Sequence, residues 1–295
     1  MGIENNFENL SIILPVYNEG PVIYSLLKDL KQKLSAARII VVNDASCDNT
    51  FEELQKLEGI TVINHDFHKG MGAALKAGMR AAKTDAIAWF DGDGQHRPED
   101  LINVAAPVLN GYKDVVIGAR QKDPAEAKER VMGKIILKWV AQIVVRSQIP
   151  DLNSGLRCFK ANVIRKYIHL IPDGFSASTI STILMIKRGY RVGYVPIISK
   201  PRTGKSSVRV VSDGFRALHL IMQILILFEA FKFFLILSTV QIVFGLIYGF
   251  ILACTRHLGF PNLAVIMIIS GILTFFMGII SDQISELRKE KFEDI

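Results

Sequence analysis

The sequence has few of the features that mark disulfide-bonded, zinc-binding or secreted proteins. Its 295 residues include only three cysteines, Cys47, Cys158 and Cys254, which lie far apart and form no C-x-x-C pair. Neither a disulfide framework nor a zinc site is therefore predicted. Residues 1–9 are polar and acidic and lack the apolar run of a signal peptide. We expect the N-terminal part of the chain to stay in the cytosol.

Two nucleotide-binding motifs are incomplete. The pair Gly70 and Gly72 lacks the third glycine of G-x-G-x-x-G, which argues against a dinucleotide cofactor. Residues 203–206 (TGKS) resemble the end of a P-loop, but Ser199 stands where that loop has its first glycine. No strand–loop–helix pattern surrounds this segment, so the chain is not predicted to be an NTPase.

Long apolar runs, by contrast, are present in the last third of the chain. Half of all residues are hydrophobic, and residues 231–253 and 263–280 are each long and apolar enough to cross a bilayer. Residues 208–230 carry polar side chains every three or four positions, as in an amphipathic helix at a membrane surface. We predict a two-helix transmembrane hairpin over residues 231–282, with residues 283–295 as a cytosolic tail. A buried pair of soluble helices is the alternative.

The basic residues predict the orientation of this hairpin. The segment before it is more basic than its short loop, and the tail after it also holds several basic residues, so both termini are expected in the cytoplasm. The expected location is the plasma membrane of a prokaryote or an equivalent membrane. Glycines facing the lipid suggest that hairpins of neighbouring chains pack together as a homo-oligomer. These glycines are Gly245, Gly249, Gly271 and Gly278.

Residues 1–207 show an alternation of strands and helices. Short runs that are apolar throughout predict strands, and apolar positions at helical spacing predict the helices between them. This alternation is typical of an α/β fold with a mostly parallel sheet that helices cover on both faces. The predicted strands are residues 10–14, 39–42, 60–63, 86–90, 115–117, 158–160 and 191–195.

An acidic turn follows the fourth predicted strand. Asp91 and Asp93 come directly after the apolar residues 86–90, Gln95 follows, and Pro98 begins a helix. Ligands of α/β sheets bind at the carboxyl ends of the strands, and hard oxygen donors suit Mg²⁺ or Mn²⁺ held together with substrate phosphates. We predict that Asp91, Asp93 and Gln95 hold such a metal. A solvated acidic turn is the alternative, which the apolar strand and the helix start disfavour.

Basic residues are in excess, with a net charge of +7. They lie beside apolar stretches, which favours an anionic membrane face or a phosphate substrate over nucleic acid. Residues 124–146 predict a helix with Arg130, Lys134, Lys138 and Arg146 in one stripe, which lies either on the core or at a membrane interface. Residues 200–207 predict a cationic loop, which is either a solvated basic loop or, beside a diphosphate site, a clamp on an anion.

Taken together, these motifs resemble the family-2 glycosyltransferases of GT-A fold, and more narrowly the polyprenyl-phosphate sugar transferases, a group that includes dolichol-phosphate mannose synthase. The resemblance covers nearly the whole chain, including the C-terminal hairpin. The matching segments are residues 15–19 (PVYNE), 41–50 (VVNDASCDNT), 91–98 (DGDGQHRP), 118–120 (GAR), 154–157 (SGLR) and 202–206 (RTGKS).

The resemblance implies a membrane-bound, inverting enzyme that needs Mg²⁺ or Mn²⁺. It would move a sugar from a UDP- or GDP-sugar to undecaprenyl or dolichyl phosphate. The implied catalytic residues are Asp91, Asp93, Arg120 and Arg202. The implied nucleotide-sugar contacts are Pro15, Tyr17, Glu19, Asn43, Asp44 and Asp91. The implied clamp on the acceptor phosphate consists of Arg120, Arg130, Lys134, Arg202 and Lys205.

The sequence departs from the family pattern at several positions. Asn43 replaces an Asp, Ala45 replaces a Gly, Lys134 stands where Ser is frequent, and the order of Lys205 and Ser206 is reversed. Transfer to a hydroxyl acceptor is an alternative in which Asp151 serves as the base, although Q-x-x-R-W is missing. A non-catalytic, membrane-tethered scaffold that binds nucleotide sugars is the second alternative.

Overall fold

Seven short strands form one mixed sheet in the order β3-β2-β1-β4-β6-β5-β7. The computed structural model of the chain describes residues 7–120, 128–174, 176–198, 210–256 and 259–290. The strands are β1 (Leu10–Val16), β2 (Arg38–Asn43), β3 (Thr61–Asn64), β4 (Ala86–Trp89), β5 (Val115–Arg120), β6 (Arg157–Lys160) and β7 (Val192–Ile197).

The predicted α/β class and the mostly parallel sheet are confirmed. β1 pairs with β2 and β4, β2 pairs with β3, and β5 pairs with β7, all in parallel. β6 lies between β4 and β5 and is antiparallel to both, which the sequence did not predict. Its first residue, Arg157, stands opposite Trp89 of β4 and Ile117 of β5.

Helices cover both faces of the sheet, as predicted from the continuous apolar strands. Ile12 and Leu14 of β1 pack in one buried cluster with the apolar residues of α1 and α4. Ile13 points to the opposite face, where it touches Gly78 of α3. In this part of the chain the helices are α1 (Gly20–Lys33), α2 (Thr50–Gln55), α3 (Met71–Ala81), α4 (Pro98–Leu109), α5 (Lys128–Val145), α6 (Ala161–Lys166) and α7 (Ala177–Lys187).

The paired glycines before α3 have a packing role. A Cβ atom on Gly72 would lie 1.9 Å from the carbonyl oxygen of Pro172, and Gly70 has a φ of +100°, a region that favours glycine. The N–H of Ala73 donates a hydrogen bond to the carbonyl oxygen of Asp173 at 3.0 Å. These glycines therefore let a distant backbone segment cross the start of α3, which accounts for them without a dinucleotide cofactor.

The chain divides into two compact units, Met1–Val208 and Arg209–Ile295. The second unit contains α8 (Val210–Arg256) and α9 (Asn262–Glu290), which pack against each other. Two stretches of these helices, His219–Thr255 and Asn262–Arg288, are long and apolar enough to cross a membrane.

The expectation that four glycines of this hairpin face lipid is wrong. A Cβ atom on Gly271 would lie 2.5 Å from Ile242 of α8, and one on Gly278 would lie 2.6 Å from Phe234. Gly245 likewise faces α9, and Gly249 faces Phe260. The small residues therefore bring α8 and α9 of one chain close together, as small residues do between membrane helices.

Helix α8 has a break at Glu229, whose φ of −144° and ψ of 39° are not helical. A break of this kind disturbs the hydrogen bonds of the neighbouring carbonyl groups. The hydroxyl of Ser285 in α9 donates to the carbonyl oxygen of Ile226 at 2.8 Å. Deeper in the hairpin, the hydroxyl of Thr274 donates to Oε1 of Gln241 at 3.0 Å. Polar groups within the hairpin therefore find partners across the helix pair.

We expect Gly271→Ala to lower the thermal midpoint of the detergent-solubilised protein, because its methyl group would overlap Ile242. Overpacking of this kind costs roughly 1–3 kcal/mol. Leu273→Ala, at an exposed position of the same helix, is the matched control and should leave the midpoint unchanged. Equal midpoints for the Gly271 variant and the wild type would contradict the packing of α8 on α9.

Candidate active site

The acidic turn begins one residue after β4 ends. The N–H of Phe90 still donates to the carbonyl oxygen of Ile13 at 3.0 Å, and the chain then turns through Asp91 to Gln95. Oδ1 of Asp93 accepts the backbone N–H of Gln95 at 3.0 Å. The three predicted metal ligands, Asp91, Asp93 and Gln95, therefore lie in one partly exposed turn at the carboxyl end of a central strand.

The carboxylate of Asp91 lies directly against the turn that precedes β6. A Cβ atom on Gly155 would be 1.8 Å from Oδ2 of Asp91, so only glycine leaves room for this oxygen. On another side, Nε2 of the buried His96 lies 3.4 Å from the same oxygen. The backbone at Gly155 and the ring of His96 thus limit where the carboxylate can go.

The donor groups of this turn fit a hard divalent cation that also binds substrate. In the described ranges, no cluster of three or more His, Cys, Asp or Glu side chains is placed to hold a metal. The turn offers two carboxylates and one amide, and the absence of a side chain at Gly155 leaves room for the Asp91 carboxylate. Mg²⁺ is often bound by one or two carboxylates plus substrate phosphates, so this donor set suits Mg²⁺ or Mn²⁺ rather than zinc.

Tyr17 presents an aromatic ring at the same edge of the sheet. It follows β1, is exposed, and packs against the ring of His68 with 4.1 Å between the ring centroids. Pro15 lies within β1 opposite Val42, and the N–H of Glu19 donates to the Thr50 hydroxyl at 2.9 Å. Of the predicted nucleotide contacts, Tyr17 is therefore the most open to a ligand.

Asp44 is buried and has many hydrogen-bond donors around it. Oδ2 accepts the N–H of Gly70 at 2.7 Å, Oδ1 accepts that of Lys69 at 2.9 Å, and Nδ1 of His65 lies 2.6 Å from Oδ1. Burial alone would raise the pKa of Asp44, but these hydrogen bonds outweigh it and keep the pKa below its usual value. In this structure Asp44 holds the loop of residues 65–70; its contact with a nucleotide stays a prediction.

Asn43 and Ala45 fix the neighbouring loop after β2. The side chain of Asn43 donates to Asn64 Oδ1 at 3.0 Å and accepts the N–H of Ser46 at 3.1 Å. An aspartate could not provide both bonds, because its ionised carboxylate only accepts. Ala45 has a φ of +59°, which is the region where glycine is favoured. The two departures from the family pattern thus have different consequences: Asn43 adds a bond, whereas Ala45 adds backbone strain.

A basic groove begins beside Tyr17 and runs along α3. The cavity has a volume of about 480 Å³, and Asp173 lies at its side. Its basic and imidazole side chains are His65, His68, Lys69, Lys76 and Arg80. Lys76 forms an ion pair with Asp173. This groove was not predicted from the sequence, although Lys76 and Arg80 stand four residues apart on one face of a predicted helix.

Arg120, the last residue of β5, is held by Asp151. Its Nε lies 2.7 Å from Oδ2 of Asp151, and its Nη2 lies 3.1 Å from Oδ1. The N–H of Asn153 donates to the same carboxylate at 3.0 Å, and the Thr179 hydroxyl donates to Asn153 Oδ1 at 2.6 Å. Burial would raise the pKa of Asp151, but the Arg120 guanidinium and the other donors keep it below its usual value. The pair is therefore ionised at neutral pH.

Arg157 is completely buried between the acidic turn and the Arg120–Asp151 pair. Nε and Nη2 donate to the carbonyl oxygen of Ser154, the former at 3.1 Å. Nη1 donates to the Ser178 carbonyl at 2.8 Å and to the hydroxyls of Ser181 and Thr182 at 2.9 and 3.1 Å. Burial lowers the pKa of Arg157 to about 10, against the opposing charges of Asp151 and Asp91. The guanidinium therefore stays charged at neutral pH.

The remaining predicted site residues are Arg130, Lys134, Arg202 and Lys205, and none of their side chains lies in the described part of the structure. Arg130 and Lys134 lie on α5, but their side chains are outside the described part of the structure. Arg202 and Lys205 lie outside the described residues altogether. Arg157, Asn153 and Thr179 were not among the predicted site residues. The S-G-L-R segment was a signal for Arg157, whereas no predicted motif marked Asn153 or Thr179 as site residues.

Replacing Ala45 by glycine should stabilise the protein. The left-handed backbone costs alanine about 1–2 kcal/mol, and the greater freedom of unfolded glycine offsets about 0.4–1 kcal/mol of the gain. The net rise in the free energy of unfolding is expected to be about 0.5–1 kcal/mol. The measurement is denaturant-induced unfolding, monitored by the fluorescence of the buried Trp89. The control is Ala37→Gly, because Ala37 lies in a turn and its φ is not positive. This change should lower the free energy of unfolding, and a decrease for both variants would show that Ala45 is not strained.

Comparison with known proteins places these motifs in a family. The family model described as Glycosyl transferase family 2 matches residues 11–170. A second model, described as GtrB C-terminal hairpin, matches residues 231–287.

Individual proteins support the same assignment. An uncharacterised protein of Methanocaldococcus jannaschii is 35% identical over 66% of this chain and 82% of its own. The UDP-N-acetylglucosamine–dolichyl-phosphate N-acetylglucosaminyltransferase of Methanococcus voltae is 29% identical over 63% of this chain and 83% of its own. The crystal structure of glucosyl-3-phosphoglycerate synthase from Mycobacterium tuberculosis with Mn²⁺, UDP and glucosyl-3-phosphoglycerate has a TM-score of 0.61. It is 16% identical and covers 73% of this chain and 78% of its own.

The structural similarity confirms the GT-A fold of the mixed sheet. The family match extends over more than half of the sequence, from β1 to the end of α6 and the turn that follows. The chain belongs to glycosyl transferase family 2 and is a glycosyltransferase.

Proposed function

We propose that the enzyme transfers a sugar from a UDP- or GDP-sugar to a polyprenyl phosphate, with inversion and with Mg²⁺ or Mn²⁺. The observation that carries this proposal is that the carboxylates of the acidic turn lie near the guanidinium of Arg120. The acidic turn at Asp91 and the Arg120–Asp151 pair both act electrostatically on the buried Arg157. This arrangement supports a metal–diphosphate site near a guanidinium that suits a second phosphate.

The chain's own residues would bind the two substrates on either side of the reacting carbon. Tyr17 offers an aromatic face for the base of the donor. Asp91, Asp93 and Gln95 would hold the metal, which would neutralise the charge that develops on the leaving diphosphate. Arg120 has planar N–H donors that suit the acceptor phosphate, together with the predicted Arg130, Lys134, Arg202 and Lys205.

A polyprenyl phosphate needs positioning more than deprotonation. It is already an anion near pH 7, so it can attack the anomeric carbon in line without a strong general base. A hydroxyl acceptor would need such a base. Asp151 is a poor one, because Arg120 binds its carboxylate and its pKa is lowered. The structure therefore favours the phosphate acceptor over the hydroxyl acceptor.

Membrane association is supported by two separate features. The helices of the C-terminal unit are long and apolar enough to span a bilayer. In the N-terminal unit, α5 buries Leu137 and Val144 but leaves Ile136, Trp139 and Ile143 exposed. Tryptophan is enriched at membrane–water interfaces, so this outer face suits the membrane interface, one of the two locations that the basic stripe left open. An acceptor that is itself a lipid would then meet the enzyme at the membrane surface, with both termini in the cytoplasm.

The decisive experiment supplies the purified full-length protein in detergent with tritiated UDP- and GDP-sugars, undecaprenyl or dolichyl phosphate, and Mn²⁺ or Mg²⁺. The expected result is one acid-labile radioactive lipid, made from one donor and abolished by a chelator. An acid-stable lipid product would instead indicate a hydroxyl acceptor. Donor binding without any product would indicate the non-catalytic scaffold.

Gly155→Ala should inactivate the enzyme as severely as Asp91→Ala. The added methyl group would occupy the position of the Asp91 carboxylate, and displaced metal-site geometry typically costs about 10–100-fold in metal affinity or activity. The matched control is Gly174→Ala, because a Cβ atom there meets nothing within 4 Å. We expect the control to transfer sugar at the wild-type rate. Wild-type turnover of the Gly155 variant at limiting Mn²⁺ would show that Asp91 is not a metal ligand.

A further inference from the structure

The guanidinium of Arg157 is connected to both halves of the site. It is buried, and its hydrogen-bond acceptors within the described chain are all neutral: two carbonyl oxygens and two hydroxyl oxygens. A buried charge that makes no hydrogen bond to a carboxylate is costly to a folded protein, even with the carboxylates of Asp91 and Asp151 nearby. Its retention therefore calls for a role beyond filling space between β6 and α7.

The first connection leads to the metal half of the site. Two of the three guanidinium nitrogens of Arg157 donate to the carbonyl oxygen of Ser154. The next residue, Gly155, touches the carboxylate of Asp91 so closely that a Cβ atom would overlap it. The orientation of the peptide between Ser154 and Gly155 therefore determines how much space Asp91 has.

The second connection leads to the acceptor half. Nη1 of Arg157 binds Ser178, Ser181 and Thr182 in the first turns of α7. Thr179, in the same turns, donates to Asn153, and the N–H of Asn153 donates to Asp151. Since Asp151 binds Arg120 through two side-chain contacts, the position of α7 is transmitted to the Arg120 guanidinium.

We propose that Arg157 is a positioning residue that fixes Asp91 and Arg120 relative to each other. It would keep the metal–diphosphate half and the acceptor-phosphate half of the site at the separation that in-line transfer needs. A planar guanidinium suits this role because its donors point in fixed directions toward two different elements. The inference rests on the proposed function, since it assigns the two halves to two substrates.

The test compares two full-length variants in detergent. Mn²⁺ binding is measured by electron paramagnetic resonance with UDP or GDP present, and farnesyl phosphate binding is measured separately. Arg157→Lys keeps the charge but loses the planar donors, and should weaken both affinities about 10-fold. Thr179→Val removes the hydroxyl donor to Asn153, and should weaken farnesyl phosphate binding while leaving Mn²⁺ binding unchanged.

The control is Arg165→Lys. Arg165 donates to the carbonyl oxygen of Ala82, so this change also removes a guanidinium that binds a backbone carbonyl. It should alter neither affinity. If Arg157→Lys lowers only the thermal midpoint, or if Thr179→Val weakens Mn²⁺ binding as much as Arg157→Lys does, the positioning role is wrong.

Failure of the proposed function gives a different result. The wild type would then bind no farnesyl phosphate, or no Mn²⁺ with either nucleotide, whereas loss of the positioning role alone leaves both wild-type affinities intact. Should Arg157→Lys not fold, the double variant Ser181→Ala and Thr182→Val removes two acceptors of Nη1 and keeps the guanidinium. It is expected to weaken both affinities in the same direction, and unchanged affinities would overturn the proposal.

Discussion

The antiparallel pairing of β6 with β4 and β5 is the constraint on which the site depends. Arg157 opens β6 opposite Trp89 and Ile117, so the turn before β6 lies between the ends of two strands. That turn touches Asp91 on one side and leads back to Asp151, the partner of Arg120, on the other. A purely parallel order would not place a tight turn there, because parallel strands need long crossover connections.

The sequence was sufficient for the parts of the fold that depend on burial. Strands β1, β2 and β4 each contain a run of buried apolar residues because helices cover both faces, and that pattern is visible in single residues such as Ile13 and Trp89. The direction of β6 could not be predicted, because a strand of only four residues looks alike in either orientation. The acidic turn, by contrast, could be located from the sequence, because its carboxylates end an apolar run.

The rest of the site depends on contacts that sequence patterns do not contain. Arginine is almost never fully buried, so Arg157 could not be predicted as the centre of a hydrogen-bond network. The same holds for Asp44, which resembles a nucleotide contact in its motif but is surrounded by donors from the loop of residues 65–70. The glycines of the hairpin were assigned to lipid because a single helix does not reveal its neighbour. In the structure Gly245, Gly271 and Gly278 face the other helix of the pair, and Gly249 faces Phe260 in the connection between the helices.

The position of β6 in the sheet also has a consequence for biosynthesis. β4 emerges from the ribosome with its full apolar length, but the strand that covers its free edge begins only at Arg157. At roughly 5–20 residues per second, the stretch between Trp89 and Arg157 takes several seconds to synthesise. During that time β4 can pair with β1 on one side only, and its other edge stays open, the kind of edge that promotes aggregation. Synthesis of this enzyme therefore includes an interval in which a chaperone would protect that edge.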